Sequence, residues 1–310
     1  EKPCSHNMME SELIVNHQKY FKKVVQMGNQ QRSSTHTNSI IKKIHDGIIG
    51  NAYNAVAFYN NNRGRVPNQV PISPPKGLDW NLFQGPAPRR NYTHDTWDYN
   101  WRWYGWDYGT GEAGNNATHE LDIARWALDV NYPISVNVFA EKNHFLDDGW
   151  TMYDNMEAKF KFSKNKSINW NGRSRNAFGK NRDGGRGTII YGTEGSVFIN
   201  RKEYILYDIK GNVIDNVKSN DNESGIALGG GGDMTTRHMQ NFVDSIRHGD
   251  TLNSPIDDAV ISQSLVHYAN ISYRSDRSFN IDEKSGKIKD TKAKKFWSRS
   301  YESGWKVEKK

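Results

Sequence analysis

The 310-residue sequence predicts an α/β fold at its amino end, followed by a larger α+β domain with an open, mostly antiparallel sheet. Near the amino end, helical segments alternate with strand-like ones, which is typical of the edge of a parallel sheet. Beyond Pro133 the pattern changes to short strands joined by hairpin signals. Two helical segments then complete the regular structure.

Local signals place the elements at the amino end. Ser5 or Asn7 can cap the first helix, and Gly47 ends the second. The predicted order is a helix to about residue 23, a strand over 24–28, a helix over 37–45 and a strand over 52–59.

The middle of the chain is predicted to be irregular. Six prolines between residues 60 and 90 break any regular element, and so long a loop usually packs over a cleft or a partner. The glycine run 229–232 is interpreted as a hinge, because Asp233 would repel a phosphate anion. The later strands are predicted over 135–141, 156–162, 166–170, 188–191, 197–200 and 204–209, and the helices over 233–247 and 256–274.

Composition indicates a globular protein. Mean hydropathy is −0.87, but 12% of the residues are aromatic and can supply the buried apolar surface. No apolar run is long enough to span a bilayer, and no signal-peptide pattern occurs near residue 1. The single cysteine, Cys4, excludes an internal disulfide and is interpreted as a partly buried filler.

The net charge of +7 is modest for this length, and a solvated surface with a Lys-rich tail explains it. The alternative is nucleic-acid binding through a basic, Gly-rich stretch with neighbouring aromatic residues. Because no RNA- or DNA-binding module accompanies it, a nucleic acid is not predicted as a partner. A membrane is not predicted either, because the sequence contains no long apolar run. The basic residues of this stretch are Arg173, Arg175, Lys180, Arg182 and Arg186.

Asn115, His119 and Asp122 form the strongest chemical constellation. Their spacing places them on one face of a helix that begins near Glu112. A histidine there can exchange a proton with a substrate hydroxyl near neutral pH, although a histidine that only hydrogen-bonds in a core has the same spacing. No metal site is predicted, because no second His or Cys completes a ligand set.

Several short motifs follow one another along nearly the whole chain, and their order resembles the Gfo/Idh/MocA oxidoreductases, typified by glucose-fructose oxidoreductase and inositol dehydrogenase. The motifs are Glu1-Lys2-Pro3, Met27-Gly28-Asn29-Gln30 with Arg32, Leu78-Asp79-Trp80 with Gly85-Pro86-Ala87-Pro88, Trp101-Arg102, Gly109-Thr110-Gly111, His119 with Asp122, and the segments 241–247 and 270–274.

The resemblance implies a domain organisation. Residues 1–34 would be the end of a dinucleotide-binding Rossmann domain, 35–290 the α+β substrate and oligomerisation domain, and 291–310 a basic carboxy-terminal tail. The remaining part of the first domain lacks the Gly-x-Gly-x-x-Gly turn that would seat a pyrophosphate. The chain is therefore expected to lack its front and to bind NAD poorly by itself.

The resemblance also implies site residues. Lys2 and His119 would be catalytic, and Asn115, which replaces an aspartate of many relatives, would orient substrate because an amide cannot act as a base. Arg32, Trp103 and Lys2 are also expected to bind substrate. The residues expected to bind cofactor are Glu1, Lys2, Pro3, Gln30, Trp101 and Arg102.

The aromatic residues around Trp103 are interpreted as sugar-stacking surfaces, core or subunit contacts. They are Trp97, Tyr99, Trp103, Tyr104, Trp106 and Tyr108.

The expected function is hydride transfer between NAD or NADP and a secondary hydroxyl of a sugar or polyol. One alternative is a glycoside-processing enzyme that uses transient oxidation, and another is a non-catalytic sugar-binding or assembly module. A homo-oligomer through the open sheet is expected. Relatives occur in the cytoplasm and, with export signals, in the periplasm, so the resemblance implies either compartment.

Overall fold

The computed structural model describes residues 1–94, 99–220 and 232–308. The described α-helices are α1 (Met8–Phe21), α2 (Thr35–His45), α3 (Trp80–Gln84), α4 (Thr118–Leu128), α5 (Lys180–Asp183), α6 (Gly232–His248) and α7 (Ile256–Ser275). The described strands are β1 (Ala52–Asn60), β2 (Ser135–Glu141), β3 (Asn155–Lys161), β4 (Ser167–Arg173), β5 (Arg186–Gly192), β6 (Gly195–Ile199), β7 (Glu203–Asp208), β8 (Val213–Lys218) and β9 (Phe279–Asn280). Trp97 and the glycines 229–231 lie outside the described residues.

These strands form one open sheet in the order β8-β7-β6-β5-β1-β4-β3-β2-β9. β1 pairs in parallel with β4, and the other pairings are antiparallel. Ala57 of β1 lies opposite Trp170 of β4 and Thr188 of β5. The mixed, mostly antiparallel sheet with its helices confirms the predicted fold class.

One face of the sheet carries the main core. Ala55 and Ala57 of β1 are fully buried, α4 packs against β1 and β5, and α7 packs against β2 and α4. Because side chains alternate along a strand, Phe139 and Tyr191 lie on the opposite face, where they are 58% and 37% exposed. Within the described residues the sheet thus keeps one face that these helices do not cover.

The predicted strand over residues 24–28 is wrong. In this stretch the described backbone forms an isolated bridge between Gln26 and Pro255. The flanking hydrogen bonds run from Met27 N to the Ser254 carbonyl and from Ile256 N to the Val25 carbonyl, each at 3.1 Å. A strand requires a ladder of paired residues along its length, and the ladder of this segment is limited to that one bridge.

The predicted helices and the remaining predicted strands are confirmed with small shifts of their ends. Asn7 caps α1, since its side chain accepts a hydrogen bond from Glu10 N at 3.1 Å. None of the described helices is long and apolar enough to cross a membrane.

The carboxy-terminal segment is not a free tail over its described residues. Glu302 N donates to the Pro86 carbonyl at 3.1 Å, and the Glu302 carboxylate accepts from Arg89 N at 2.9 Å. Tyr301 donates to Glu10 of α1 at 3.0 Å. The segment therefore joins the Pro-rich loop to the amino-terminal helix.

Candidate functional site

A cleft of about 310 Å³ lies where residues 1–6 meet the loop that leads to α4. Its walls include Trp101, Arg102, residues 108–111 and Asn115. The structure thus brings together the predicted site residues Glu1, Lys2, Pro3, Trp101, Arg102 and Asn115. A larger cavity of about 630 Å³ lies beside Trp106, Phe139 and Arg274 and contains none of the predicted site residues.

Two glycines allow the close contacts that shape the cleft. Gly28 N donates to the Glu1 carbonyl at 3.1 Å, and a Cβ at Gly28 would lie 3.1 Å from the same carbonyl carbon. A Cβ at Gly109 would lie 2.6 Å from Cα of Arg102, closer than such atoms approach. The lack of a Cβ at these two positions therefore allows the amino-terminal peptide and the Trp101-Arg102 turn to approach so closely.

Lys2 reaches from the amino-terminal segment to the helical turn opposite. Its ammonium donates to the backbone carbonyl of Asn115 and lies 3.5 Å from Oδ1 of the same residue. Burial lowers the pKa of Lys2 to about 7, and three arginine charges add to this effect. They are Arg102, Arg186 and Arg201. An amine with this pKa can accept or donate a proton near neutral pH.

Asn115 is oriented by neighbouring polar groups. Its Nδ2 donates to Oε1 of Glu112 and to the hydroxyl of Tyr99, both at 3.1 Å. Glu112 is 2% exposed, and its carboxylate accepts from Nε of Arg63 at 2.8 Å. With the amide nitrogen engaged, the amide oxygen is the group that Asn115 offers to Lys2.

Sequence reasoning assigned no role to Arg63 and Glu112. Arg63 lies in the stretch predicted to be an irregular loop, and no local pattern connects it with a partner 49 positions later. Glu112 was visible only as the expected start of a helix, where an acidic side chain has an ordinary stabilising role. Their pairing depends on tertiary structure, which spacing does not report.

His119 lies in the same electrostatic environment as Lys2. The residue is 5% exposed, and its Nδ1 is buried without a hydrogen-bond partner among the described residues. Burial lowers the pKa of His119 well below its ordinary value, and the charge of Lys2 adds to the shift. This direction favours the neutral imidazole and does not support the expectation that His119 titrates near neutral pH. Its catalytic role stays a prediction.

Arg32 and Asp122 do not belong to the cleft. The Arg32 guanidinium donates to both carboxylate oxygens of Asp122, at 2.8 and 2.7 Å, and also pairs with Asp258 at 3.0 Å. Both Arg32 and Asp122 are buried and Arg32 does not line the cleft, so its predicted substrate contact is wrong: its guanidinium connects the 3₁₀ turn to α4 and α7. Gln30, expected to bind cofactor, lies in the same 3₁₀ turn and does not line the cleft.

Trp103 is also misassigned as a substrate-binding residue. It is 1% exposed, and its ring stacks on Trp150 with centroids 4.1 Å apart and planes 4° from parallel. Val66, Tyr104 and Met152 complete this small core. Sugar stacking, core packing and subunit contact were the three interpretations of the aromatic residues. For Trp103 and Tyr104, the structure shows core packing.

Two arginines of the basic stretch are paired inside the protein. The Arg175 guanidinium contacts the Asp148 carboxylate, with both side chains almost fully buried. The Arg186 guanidinium donates from Nε to Glu120 at 2.8 Å. These two cations therefore stabilise tertiary structure.

The fit of a nicotinamide cofactor to this chain is partial. The cleft offers an ammonium, an amide and the Thr110 hydroxyl to a polar ligand. The letters of residues 109–114 match Gly-x-Gly-x-x-Gly, but the pattern follows a loop instead of the strand that a phosphate-binding turn requires. A Cβ at Gly114 would overlap the Thr110 hydroxyl, so this glycine makes room for a side chain of its own segment. The described residues hold no phosphate turn of the βαβ kind.

Comparisons with known proteins agree with this architecture. Among solved structures, an aldose-aldose oxidoreductase from Caulobacter crescentus, complexed with glycerol, matches with a TM-score of 0.63 and 15% identity, over 90% of this chain and 70% of that one. An NAD binding oxidoreductase from Klebsiella pneumoniae matches with a TM-score of 0.64 and 16% identity, over 90% and 72%. Levoglucosan dehydrogenase, in complex with NADH and levoglucosan, matches with a TM-score of 0.62 and 20% identity, over 90% and 72%.

At 15–20% sequence identity, these structural matches show a common fold and nothing further. A search of curated proteins found no significant match. The family model described as "Oxidoreductase family, C-terminal alpha/beta domain" matches residues 86–281, which is more than half of the chain. The chain therefore belongs to the Gfo/Idh/MocA oxidoreductase family.

Proposed function

We propose that this protein is an NAD(P)-dependent oxidoreductase that interconverts a secondary hydroxyl of a sugar or polyol and the corresponding ketone. The observation that carries the proposal is the partly buried Lys2 ammonium held against Asn115 in the cleft, with a pKa of about 7. The family match and the sugar and cofactor named for levoglucosan dehydrogenase support the same chemistry.

The chain's own residues handle the proton of this reaction. In the oxidation direction, the neutral amine of Lys2 takes the hydroxyl proton as the carbon–oxygen double bond forms. In the reduction direction, the ammonium returns that proton to the oxygen. Asn115 faces the substrate with its amide oxygen. His119 is buried and does not line the cleft, so its proposed contribution is to the electrostatic surroundings of Lys2. A bound nicotinamide cofactor supplies or removes the hydride.

The domain organisation follows the same proposal. Residues 1–34 complete a dinucleotide-binding unit whose phosphate turn is not among the described residues. Residues 35–290 form the substrate and oligomerisation domain, with the face that exposes Phe139 and Tyr191 as the contact between copies. The cofactor-binding roles of Glu1, Pro3, Trp101 and Arg102 belong to the proposal, since these residues line the cleft.

Cofactor binding is the first test. Calorimetry with NAD and NADP is carried out on this 310-residue chain and, where the gene encodes residues ahead of Glu1, on the extended form that includes them. Binding by the extended form supports the proposal, and the absence of binding by both forms refutes it. A screen of sugars and polyols, monitored by NADH absorbance, then identifies the substrate. Sustained turnover with bound NAD but no net NADH would instead favour a glycoside-processing enzyme.

A pair of lysine variants tests the role of the cleft. Lys2→Ala should abolish turnover with the substrate found in that screen, because the proton acceptor is lost. Lys22→Ala is the matched control, since Lys22 is exposed at the end of α1. Equal turnover by the two variants would contradict the assignment of Lys2.

A further inference from the structure

Glu112 is a buried carboxylate at a fixed position beside the cleft. Arg63 donates to it from Nε at 2.8 Å and from Nη2 at 3.4 Å, and the Glu112 side chain is 3% exposed. The Arg63 guanidinium lies in turn 5.3 Å from the ring centroid of Tyr99 and 5.0 Å from that of Trp103. A planar cation held by two rings and two hydrogen bonds leaves the carboxylate little freedom to move.

The fixed carboxylate determines how the Asn115 amide points. In the observed orientation, Nδ2 donates to Glu112 at 3.1 Å and Oδ1 lies 3.5 Å from the Lys2 ammonium. A flipped amide would set its oxygen against the carboxylate, two acceptors without a hydrogen between them, and its NH₂ against the ammonium. Both contacts would be repulsive. Glu112 therefore selects the orientation in which the amide accepts from the lysine.

Glu112 also contributes charge to the surroundings of Lys2. Cations reach the lysine from three elements: Arg102 from the loop, Arg186 from β5 and Arg201 from the turn after β6. All three favour the neutral amine, whereas Glu112 favours the ammonium. His119, which also interacts with Lys2, is neutral at physiological pH.

We propose that Glu112 is a positioning residue of the reaction, which turns the amide oxygen of Asn115 toward Lys2 and places a negative charge beside the lysine. This inference rests on the proposed role of Lys2 as acid and base.

An NMR titration of Lys2 tests the inference without an enzyme assay. The full chain carries lysine labelled at Cε, and Lys2→Arg identifies the signal by its loss. The wild type should titrate at about 7. Glu112→Gln should lower the midpoint by roughly half a unit to one unit, because the charge that supports the ammonium is removed. Glu112→Asp keeps that charge and should titrate close to the wild type.

Asp148→Asn is the matched control. It also breaks a buried pair between an arginine and a carboxylate, that of Arg175 and Asp148, whose side chains are 1% and 2% exposed. Its Lys2 midpoint should equal that of the wild type. The inference is overturned if Glu112→Gln titrates like the wild type, or if Asp148→Asn lowers the midpoint equally.

Arg63→Gln provides a second test if Glu112→Gln does not fold. This variant retains the carboxylate but removes its partner cation, so the Lys2 midpoint should rise, and an unchanged midpoint would overturn the inference. Turnover is measured separately. A lowered midpoint in Glu112→Gln together with no turnover by either the 310-residue chain or the extended form would refute the oxidoreductase proposal alone. Turnover by either form with no change of midpoint would refute the role of Glu112 alone.

Discussion

Asp122→Asn is expected to destabilise the protein without acting through the cleft. The Asp122 carboxylate accepts two hydrogen bonds from Arg32 and one from Ser262 at 2.6 Å, and the residue is 1% exposed. An amide leaves the buried guanidinium with a neutral partner. Breaking a buried ion pair in this way costs about 3–5 kcal/mol. Because Asp258 still contacts Arg32 at 3.0 Å and is partly exposed, we expect the lower end, about 3 kcal/mol.

Urea and thermal unfolding measure this loss. A change of about 3 kcal/mol should lower the melting temperature by roughly 5–10 °C in a chain of this length. Asp46→Asn, which removes the exposed Lys42–Asp46 pair of α2, is the control and should change stability by less than about 0.5 kcal/mol. If Asp122→Asn were as stable as this control and changed only sugar affinity, Arg32 would be a substrate ligand after all.

The pH dependence of stability shows whether the Arg32–Asp122 pair favours the ionised carboxylate. Burial alone would raise the pKa of Asp122, but the charge and hydrogen bonds of Arg32 lower it below its ordinary value. The folded state therefore binds the proton less readily than the unfolded state. The resulting stability is present above the ordinary carboxyl pKa and is lost as the pH falls through the lowered pKa. The difference in free energy of unfolding between the wild type and Asp122→Asn should therefore become smaller at acidic pH.

Three further predictions concern the cleft and its surroundings. Because the pKa of Lys2 is about 7, the oxidation rate should rise through that pH and the reduction rate should fall, and pH profiles in which both directions rise would contradict this. Gly109→Ala should cost about 1–3 kcal/mol in thermal unfolding, since its Cβ would overlap the Arg102 backbone, and an unchanged melting temperature would show that the turn yields. Trp103→Ala should lower the free energy of unfolding by about 3–5 kcal/mol and leave the sugar affinity of the folded fraction unchanged. A loss of sugar affinity without a loss of stability would show that Trp103 binds substrate.

Local sequence signals predicted most of the fold. Caps, periodicity and hairpin residues placed α1, α2, β1 and the strands from β2 to β7, because these signals act over a few neighbouring residues. Strand β8 was missed although its hairpin turn was seen, since its alternation is polar and half exposed. The false strand at 24–28 shows the converse, because an apolar run becomes a strand only where the fold supplies a partner.

The site residues were also predicted correctly only where local sequence signals were sufficient. The residues carried by contiguous motifs, Lys2, Trp101 and Arg102, come together in the cleft, whereas Arg32 and Trp103 were misassigned because their types suit both binding and packing. In a sequence, an arginine that binds a ligand cannot be distinguished from one that pairs with a buried carboxylate of the same protein. The relevant partners lie far away in sequence, 90 positions for Arg32 with Asp122. Spacing cannot report such a pairing.

The helix that carries Asn115 shows why its predicted face failed. In a regular α-helix, positions i, i+4 and i+7 fall within one stripe, which would place Asp122 beside Asn115 and His119. The chain instead forms a π-helical turn at Ala113–Ala117, immediately before α4. A π turn holds an additional residue, so it rotates the residues before it relative to those after it. Asn115 lies within this turn, so the regular α-helical offset between positions 115 and 122 does not apply, and Asn115 contacts Lys2 whereas Asp122 contacts Arg32. One irregular turn thus lets a single helical segment contribute both a group of the cleft and a buried ion pair.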